Sequence, residues 1–147
     1  MTRKAALPAK PRSRFRPRLI LQPSARRTAR HNTHAALRRF FVIADAWELS
    51  PLQQCRLLKI PSPMVLARYR LGQVSRLSAN QHERVVLLIS IHASLGGETR
   101  QDHAWAWVNQ PSEAEPFEGD SPLYFMLEKG LPALRAVARM LVRLQQK

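Results

Sequence analysis

Apolar residues between positions 34 and 49 recur at helical spacing. They fall at i, i+3, i+4, i+7 and i+10, which places them on one helix face. These positions are Leu37, Phe40, Phe41, Ala44 and Trp47. Because a globular protein buries such a stripe against its core, the pattern predicts a first helix over residues 34–49.

Two Ser-Pro pairs predict the starts of the next two helices. Ser50 is a suitable N-cap, with Pro51 at the first helical position and Gln53 placed to close a capping box. We expect this helix to end near residue 58. Ser62-Pro63 repeats the signal and predicts a third helix that stops at Gly72. Two short helices flanking a tight turn are the arrangement of a helix-turn-helix.

The most apolar run of the chain, residues 85–89, predicts a central helix. Ser78 and Gln81 form another N-terminal capping pair ahead of it. A buried strand could also contain such a run, but the apolar pattern continues to Leu95 and ends at the Gly96-Gly97 pair. This length favours a helix, and its nearly uniform apolarity favours a central position.

The remaining sequence predicts three more helices. The first covers residues 98–109, and a polar loop follows over residues 110–120. A short helix, capped by Asp120 or Ser121, is expected from Pro122 to Gly130, and the last helix over residues 132–146. In the last helix the predicted buried stripe is Leu134, Val137, Ala138, Leu141 and Leu144, with Arg135, Arg139 and Arg143 on another face. The predicted fold class is therefore all-α.

Charge is concentrated at the N-terminus. Residues 1–32 contain ten Lys or Arg, four Pro and no acid, so residues 33–147 keep 14 basic residues against ten acids. A segment of this composition predicts a disordered basic arm over residues 1–33. Nucleic acid is the leading candidate partner, and the alternatives are a passive solvated tail and an organellar transit peptide. The ten bases are Arg3, Lys4, Lys10, Arg12, Arg14, Arg16, Arg18, Arg26, Arg27 and Arg30.

Catalytic and metal-binding signatures are missing from the sequence. The five His show neither His-x-x-x-His nor His-Glu-x-x-His spacing, and a cluster of acids (Glu113, Glu115, Glu118 and Asp120) lies in the polar loop, where solvated surface charge is expected. His92 is expected to be a core residue. A single cysteine, Cys55, fits a reducing compartment, and no stretch has transmembrane length. We therefore expect a binding protein that is not an enzyme, without metal or cofactor.

The start of the predicted third helix supplies candidate DNA contacts. Helical geometry directs Ser62, Met64, Val65 and Arg68 outward, whereas Leu66 and Tyr69 are expected to face inward. Arg68 can donate two hydrogen bonds to a guanine edge. Met64 and Val65 could touch thymine methyl groups, or they could pack against another protein.

Several motifs together resemble the Xre/MbcA/ParS-type antitoxins. In the first half these are Leu49-Ser50, Leu57-Leu58-x-Ile60-Pro61, Tyr69-Arg70-x-Gly72, Arg76-Leu77-Ser78 and Glu83-Arg84. In the second half they are Ala104, Trp107-Val108-Asn109, Pro111, Phe117-x-Gly119-x-Ser121-Pro122-Leu123, Leu127, Gly130 and Val137. The resemblance covers residues 36–145, and Lys59 stands where the family's turn usually has glycine.

The resemblance implies a bacterial, cytoplasmic antitoxin of a type II toxin–antitoxin system. Such a protein would bind and occlude a RES-domain toxin that consumes NAD, and would repress its own operon at operator DNA. It implies a helix-turn-helix domain over residues 34–95, a toxin-binding helical domain over residues 96–147, and a homodimer or a larger assembly with the toxin. The alternative is a stand-alone helix-turn-helix regulator without a toxin.

The candidate site residues follow from the motifs and from the chemistry of each side chain. The resemblance adds Arg70 and Arg76 to the DNA-binding candidates, and Trp107, Gly119, Ser121 and Pro122 to the toxin-binding ones. Tyr124 and Phe125 are candidate aromatic anchors because interfaces favour such residues. Arg135, Arg139 and Arg143 complete the predicted toxin-binding set.

Overall fold

The computed structural model describes residues 23–146, and this part of the chain is all-helical, with no strand. The predicted fold class is confirmed. The helices are α1 (Pro23–Ala46), α2 (Pro51–Leu58), α3 (Pro63–Arg70), α4 (Ala79–Ser94), α5 (Gln101–Asn109), α6 (Pro122–Lys129) and α7 (Leu131–Gln145), with a 3-10 turn at Gly97–Arg100 before α5.

Helix α1 differs most from its prediction. It begins at Pro23 instead of residue 34 and ends at Ala46 instead of residue 49. The disordered arm was predicted to extend to residue 33, and that prediction is wrong for residues 27–33, which belong to α1. The segment after Pro23 is rich in Ala and Arg, which are strong helix formers, and contains no glycine or further proline. Residues 1–22 of the predicted arm lie outside the described residues.

Capping side chains set the starts of α2 and α4. The Ser50 hydroxyl accepts from the Gln53 amide at 3.1 Å, and the Gln53 side chain accepts from the Ser50 amide at 2.8 Å. Ser78 and Gln81 repeat this exchange at 3.0 and 3.1 Å. Both predicted capping boxes are confirmed. Each satisfies backbone N–H groups that the helix itself leaves without a partner.

Helix α4 lies at the centre of the molecule, as predicted. It packs against α1 on one side and α7 on the other, and it also contacts α2. Val85, Leu88 and Ile91 are fully buried along it. Because α4 belongs to the first predicted unit and α7 to the second, the two units share one hydrophobic core.

The buried face of α7 is one residue shorter than predicted. Leu134, Val137, Ala138 and Leu141 are buried, but Leu144 is 57% exposed. The side-chain amide of Gln145 donates to the Ser94 carbonyl, so the last turn of α7 lies beside the end of α4. Since α4 has no further turn there, nothing on it covers Leu144.

Candidate functional site

The outward-facing surface of α3 carries large apolar side chains that are exposed. Met64 is 75% exposed and Leu71, just past the helix end, is 73% exposed, while Arg68 is exposed on the same short helix. Arg68 makes no ion pair within the described part of the chain. Leu66 is buried and Tyr69 half-buried, so the predicted inward face is confirmed. The outward face therefore offers one free guanidinium between apolar side chains.

Two of the predicted outward residues have structural roles. The Ser62 hydroxyl accepts from the Val65 amide at 3.3 Å and caps α3. Val65 is half-buried and packs against the core, so its outward orientation was wrongly predicted. The reason is that Val65, Leu66 and Tyr69 lie at i, i+1 and i+4 and share the face of α3 that packs against the core.

Arg70 connects α3 to α1 and α2. Its guanidinium lies 4.2 Å above the Phe41 ring, donates to Gln54 Oε1 at 3.3 Å and lies 3.5 Å from an Asp45 carboxylate oxygen. A cation over an aromatic ring and beside a carboxylate is held by electrostatic attraction to both. Arg76, by contrast, lies exposed in the connection between α3 and α4. Arg68 and Arg76 are thus the more available of the predicted arginines.

Basic residues of the predicted arm reach the described structure at the start of α1. The side chains of Arg27 and Arg30 are both exposed there. They extend the positive surface of the molecule along the N-terminal turns of α1. The other predicted arm bases have no described side chain.

An aromatic cluster orders the C-terminal segment. The Trp107 and Phe117 rings meet edge to face at 5.9 Å, and Phe117 and Phe125 do so at 5.4 Å. Phe117 is buried, whereas Trp107 and Phe125 are half-buried and keep an exposed edge. Tyr124, on α6, is 51% exposed. The cluster thus packs three of the segment's aromatic rings and leaves Tyr124 on the surface.

Gly119 and Ser121 fix the loop that leads into α6. Gly119 has φ 99°, a conformation that side-chain-bearing residues rarely adopt, and its amide donates to the Ser112 carbonyl at 2.7 Å. The Ser121 hydroxyl then accepts from the Tyr124 amide at 3.1 Å, and Pro122 is buried at the first helical position. Ser121, not Asp120, is the N-cap. These residues position the aromatic side chains of α6.

The arginines of α7 divide into one paired and two unpaired side chains. Arg135 donates to both carboxylate oxygens of Glu83 on α4, at 2.6 and 2.9 Å, and this lowers the pKa of Glu83. Arg139 and Arg143 are exposed and make no ion pair with any residue in 23–146. All three line an open groove of about 510 Å³ between α4 and α7, whose apolar wall includes Val142.

One exposed aromatic residue was missed by sequence reasoning. Trp105 on α5 is 42% exposed. Trp105 lies two residues before Trp107, so the two indoles are on different faces of the helix. This spacing in the sequence could have predicted that one of them is exposed. Trp105 therefore belongs with Tyr124 among the exposed aromatic residues of the C-terminal segment.

No His, Cys, Asp and Glu side chains within residues 23–146 are grouped so that three of them could hold a metal ion. Burial raises the pKa of the Cys55 thiol, which disfavours the reactive thiolate. No helix in the described range is long and apolar enough to cross a membrane. Neither a protein-family model, nor a curated protein, nor a solved structure matches this chain.

Proposed function

We propose that this chain is the antitoxin of a type II toxin–antitoxin system. It binds and occludes a RES-domain toxin that consumes NAD through its C-terminal helices, and it represses its own operon through α2 and α3. The proposal rests on the sequence resemblance described above and on the pre-ordered aromatic segment of the C-terminal half.

The aromatic segment is the observation that carries the proposal. Phe117 is buried between Trp107 and Phe125, and the loop ahead of α6 is closed by hydrogen bonds. An interface built on such a segment loses little conformational freedom on binding. Tyr124 projects from it as a half-exposed aromatic side chain, which is the type of residue that dominates binding energy in interfaces.

Steric occlusion needs no catalytic group in the antitoxin. It needs a surface with affinity for the toxin, and Arg139 and Arg143 add two unpaired charges to that surface. A guanidinium at an interface forms paired hydrogen bonds with a carboxylate of the partner. We therefore expect the toxin surface that meets α7 to carry acidic residues.

Binding to the RES-domain protein tests the proposal. Tyr124→Ala should weaken the affinity by at least about tenfold if the side chain is an interface anchor. Leu52→Ala is a matched control, because Leu52 is 65% exposed on α2 and lies outside the proposed surface. Equal affinities for the two variants would place the interface elsewhere.

A stand-alone regulator is the second candidate, favoured by the exposed guanidinium of Arg68 on α3. Under this alternative Arg68→Ala should reduce sequence preference by roughly 1–3 kcal/mol at one base pair. No RES-domain protein should then bind the chain. An equal loss of affinity on all DNA sequences would make Arg68 a phosphate contact.

A further inference from the structure

A basic pocket opens where the two halves of the chain meet. It has a volume of about 480 Å³ and lies between the end of α2, the turn into α3, and the junction of α6 with α7. Four cationic side chains and one carboxylate line it, for a net charge of +3. These residues are Arg56, Lys59, Arg84, Lys129 and Glu128.

Arg84 is the most buried charge of this pocket. Only 5% of the residue is exposed, its Nε donates to Asn80 Oδ1 at 2.6 Å, and its Nη1 donates to the Leu57 carbonyl at 3.1 Å. Both acceptors are neutral, and no carboxylate in residues 23–146 lies within ion-pair distance of the guanidinium. The neighbouring Glu83 is engaged by Arg135 on α7. A buried cation without an anion is costly, so this pocket favours an anionic occupant.

Gly130 lies beside the third nitrogen of Arg84 in the lining of the pocket. It has φ 74°, which favours glycine, and a Cβ at this position would lie 3.8 Å from Arg84 Nη2. A side chain there would cover that nitrogen. At the start of α7 the Ala133 and Leu134 amides donate to the Gly130 carbonyl, and Pro132 has no N–H. The buried donor of the pocket is therefore Arg84 and not the helix terminus.

The other three of the four cations surround Arg84 at the rim of the pocket. Lys59, at the end of α2, and Lys129, at the end of α6, are both exposed. Arg56 donates to the Leu127 carbonyl at 3.2 Å and to the Glu128 carboxylate at 3.3 Å, which holds α2 against α6. The lysines therefore supply mobile charge, whereas Arg84 supplies a fixed, oriented guanidinium.

We propose that this pocket binds a phosphate group. A phosphate carries more negative charge and more acceptor oxygens than a carboxylate, which matches a net charge of +3 and donors from three separate helices. The bound group could belong to the DNA backbone or to a free phosphate compound, because both present the same acceptor oxygens to the pocket. Lys59 and Pro61 line the pocket in the turn that leads into α3, so a DNA strand beside α3 would run close to it. This inference does not depend on toxin binding.

A double substitution of the rim lysines tests the proposal. Lys59 has φ 58° and ψ 50°, so Lys59→Gly removes the charge while relieving an unfavourable backbone conformation. It is combined with Lys129→Gln. The matched control is Arg139→Gln with Arg143→Gln, which changes the net charge equally on a surface outside the pocket.

Inorganic phosphate is titrated into each full-length protein at constant ionic strength, and amide chemical shifts are followed by NMR. We expect saturable shifts around Arg84 and Gly130 in the unsubstituted protein and in the control, and at least about tenfold weaker binding in the lysine variant. Equal affinity in the lysine variant and the control would overturn the proposal. Shifts that do not saturate, spread over all basic residues, would overturn it as well.

A competition experiment distinguishes the two sources of phosphate. A short duplex without operator sequence is added to the phosphate-saturated protein. Displacement of inorganic phosphate from the shifts near Gly130 assigns the pocket to the DNA backbone, and retention of phosphate assigns it to a free phosphate compound. Both results keep the phosphate site. Failure of the chain to bind a RES-domain protein would remove the proposed function and leave these titrations unchanged.

Discussion

The buried pair of Trp47 and His92 should make the fold sensitive to mild acid. Trp47 Nε1 donates to His92 Nδ1 at 3.1 Å, and both residues are buried. Because an indole N–H can only donate, Nδ1 must keep its lone pair, and the imidazole is neutral with its proton on Nε2. Nε2 is buried and has no hydrogen-bond partner among the described residues. If His92 Nδ1 were protonated, its N–H would face the indole N–H of Trp47, and neither group could accept a hydrogen bond.

The pKa of His92 is accordingly lowered from its ordinary value near 6.5, first by burial and then by Arg39, with Glu98 acting in the opposite direction. Well above pH 6.5 the imidazole is neutral in the folded and unfolded chains, and its contribution to stability is complete. Below that pH the unfolded chain binds a proton that the folded chain resists. Between pH 6.5 and the lowered pKa of the folded imidazole, the free energy of unfolding should therefore fall by up to about 1.4 kcal/mol per pH unit.

The matched variant is His92→Asn, because its side-chain oxygen can accept from Trp47 and does not titrate. Urea denaturation at about pH 7.5 and at about pH 5.5 should show a loss of up to about 1.4 kcal/mol in the unsubstituted protein beyond any loss in the variant. His103→Asn, on the exposed surface of α5, serves as control and should keep the full pH dependence. The reasoning is refuted if His92→Asn retains the same pH dependence as the unsubstituted protein.

Three stability predictions concern caps, backbone and core. Ser78→Ala should cost about 1 kcal/mol because it removes the N-cap of α4, whereas the exposed loop substitution Ser75→Ala should be neutral in the same urea denaturation. Lys59→Gly should raise the free energy of unfolding by about 1 kcal/mol by removing a side chain from a left-handed conformation, and a lower thermal midpoint would contradict this. Leu88→Ala should lower the free energy of unfolding by roughly 2–5 kcal/mol, since the residue is fully buried. A loss of under about 1 kcal/mol, measured by calorimetry at about neutral pH, would exclude its central packing role.

Local signals predicted the helix starts well. Ser50, Ser62, Ser78 and Ser121 all cap helices as their sequence contexts indicated, because capping depends on residues only three positions apart. The start of α1 was mispredicted, since an apolar stripe marks only the buried part of a helix. The described side chains of residues 27–32 are exposed and carry no such stripe.

Long-range partners were beyond sequence reasoning. His92 was expected in the core, but its hydrogen bond to Trp47 joins residues 45 positions apart. The basic pocket brings Lys59 together with Lys129, and no local pattern relates these positions. Lys59 itself illustrates the same limit, because it adopts a left-handed conformation that lysine as a residue type does not predict.

Binding to a RES-domain protein tests the central claim, the proposed antitoxin function, most directly. The full-length chain is titrated calorimetrically into the RES-domain protein that the proposal expects to be encoded beside it, and NAD consumption is followed in parallel. The account predicts saturable binding, loss of NAD consumption as the complex forms, and weaker binding by Tyr124→Ala than by Leu52→Ala. Undiminished NAD consumption at saturating concentrations of the chain, or no detectable binding, would contradict the account.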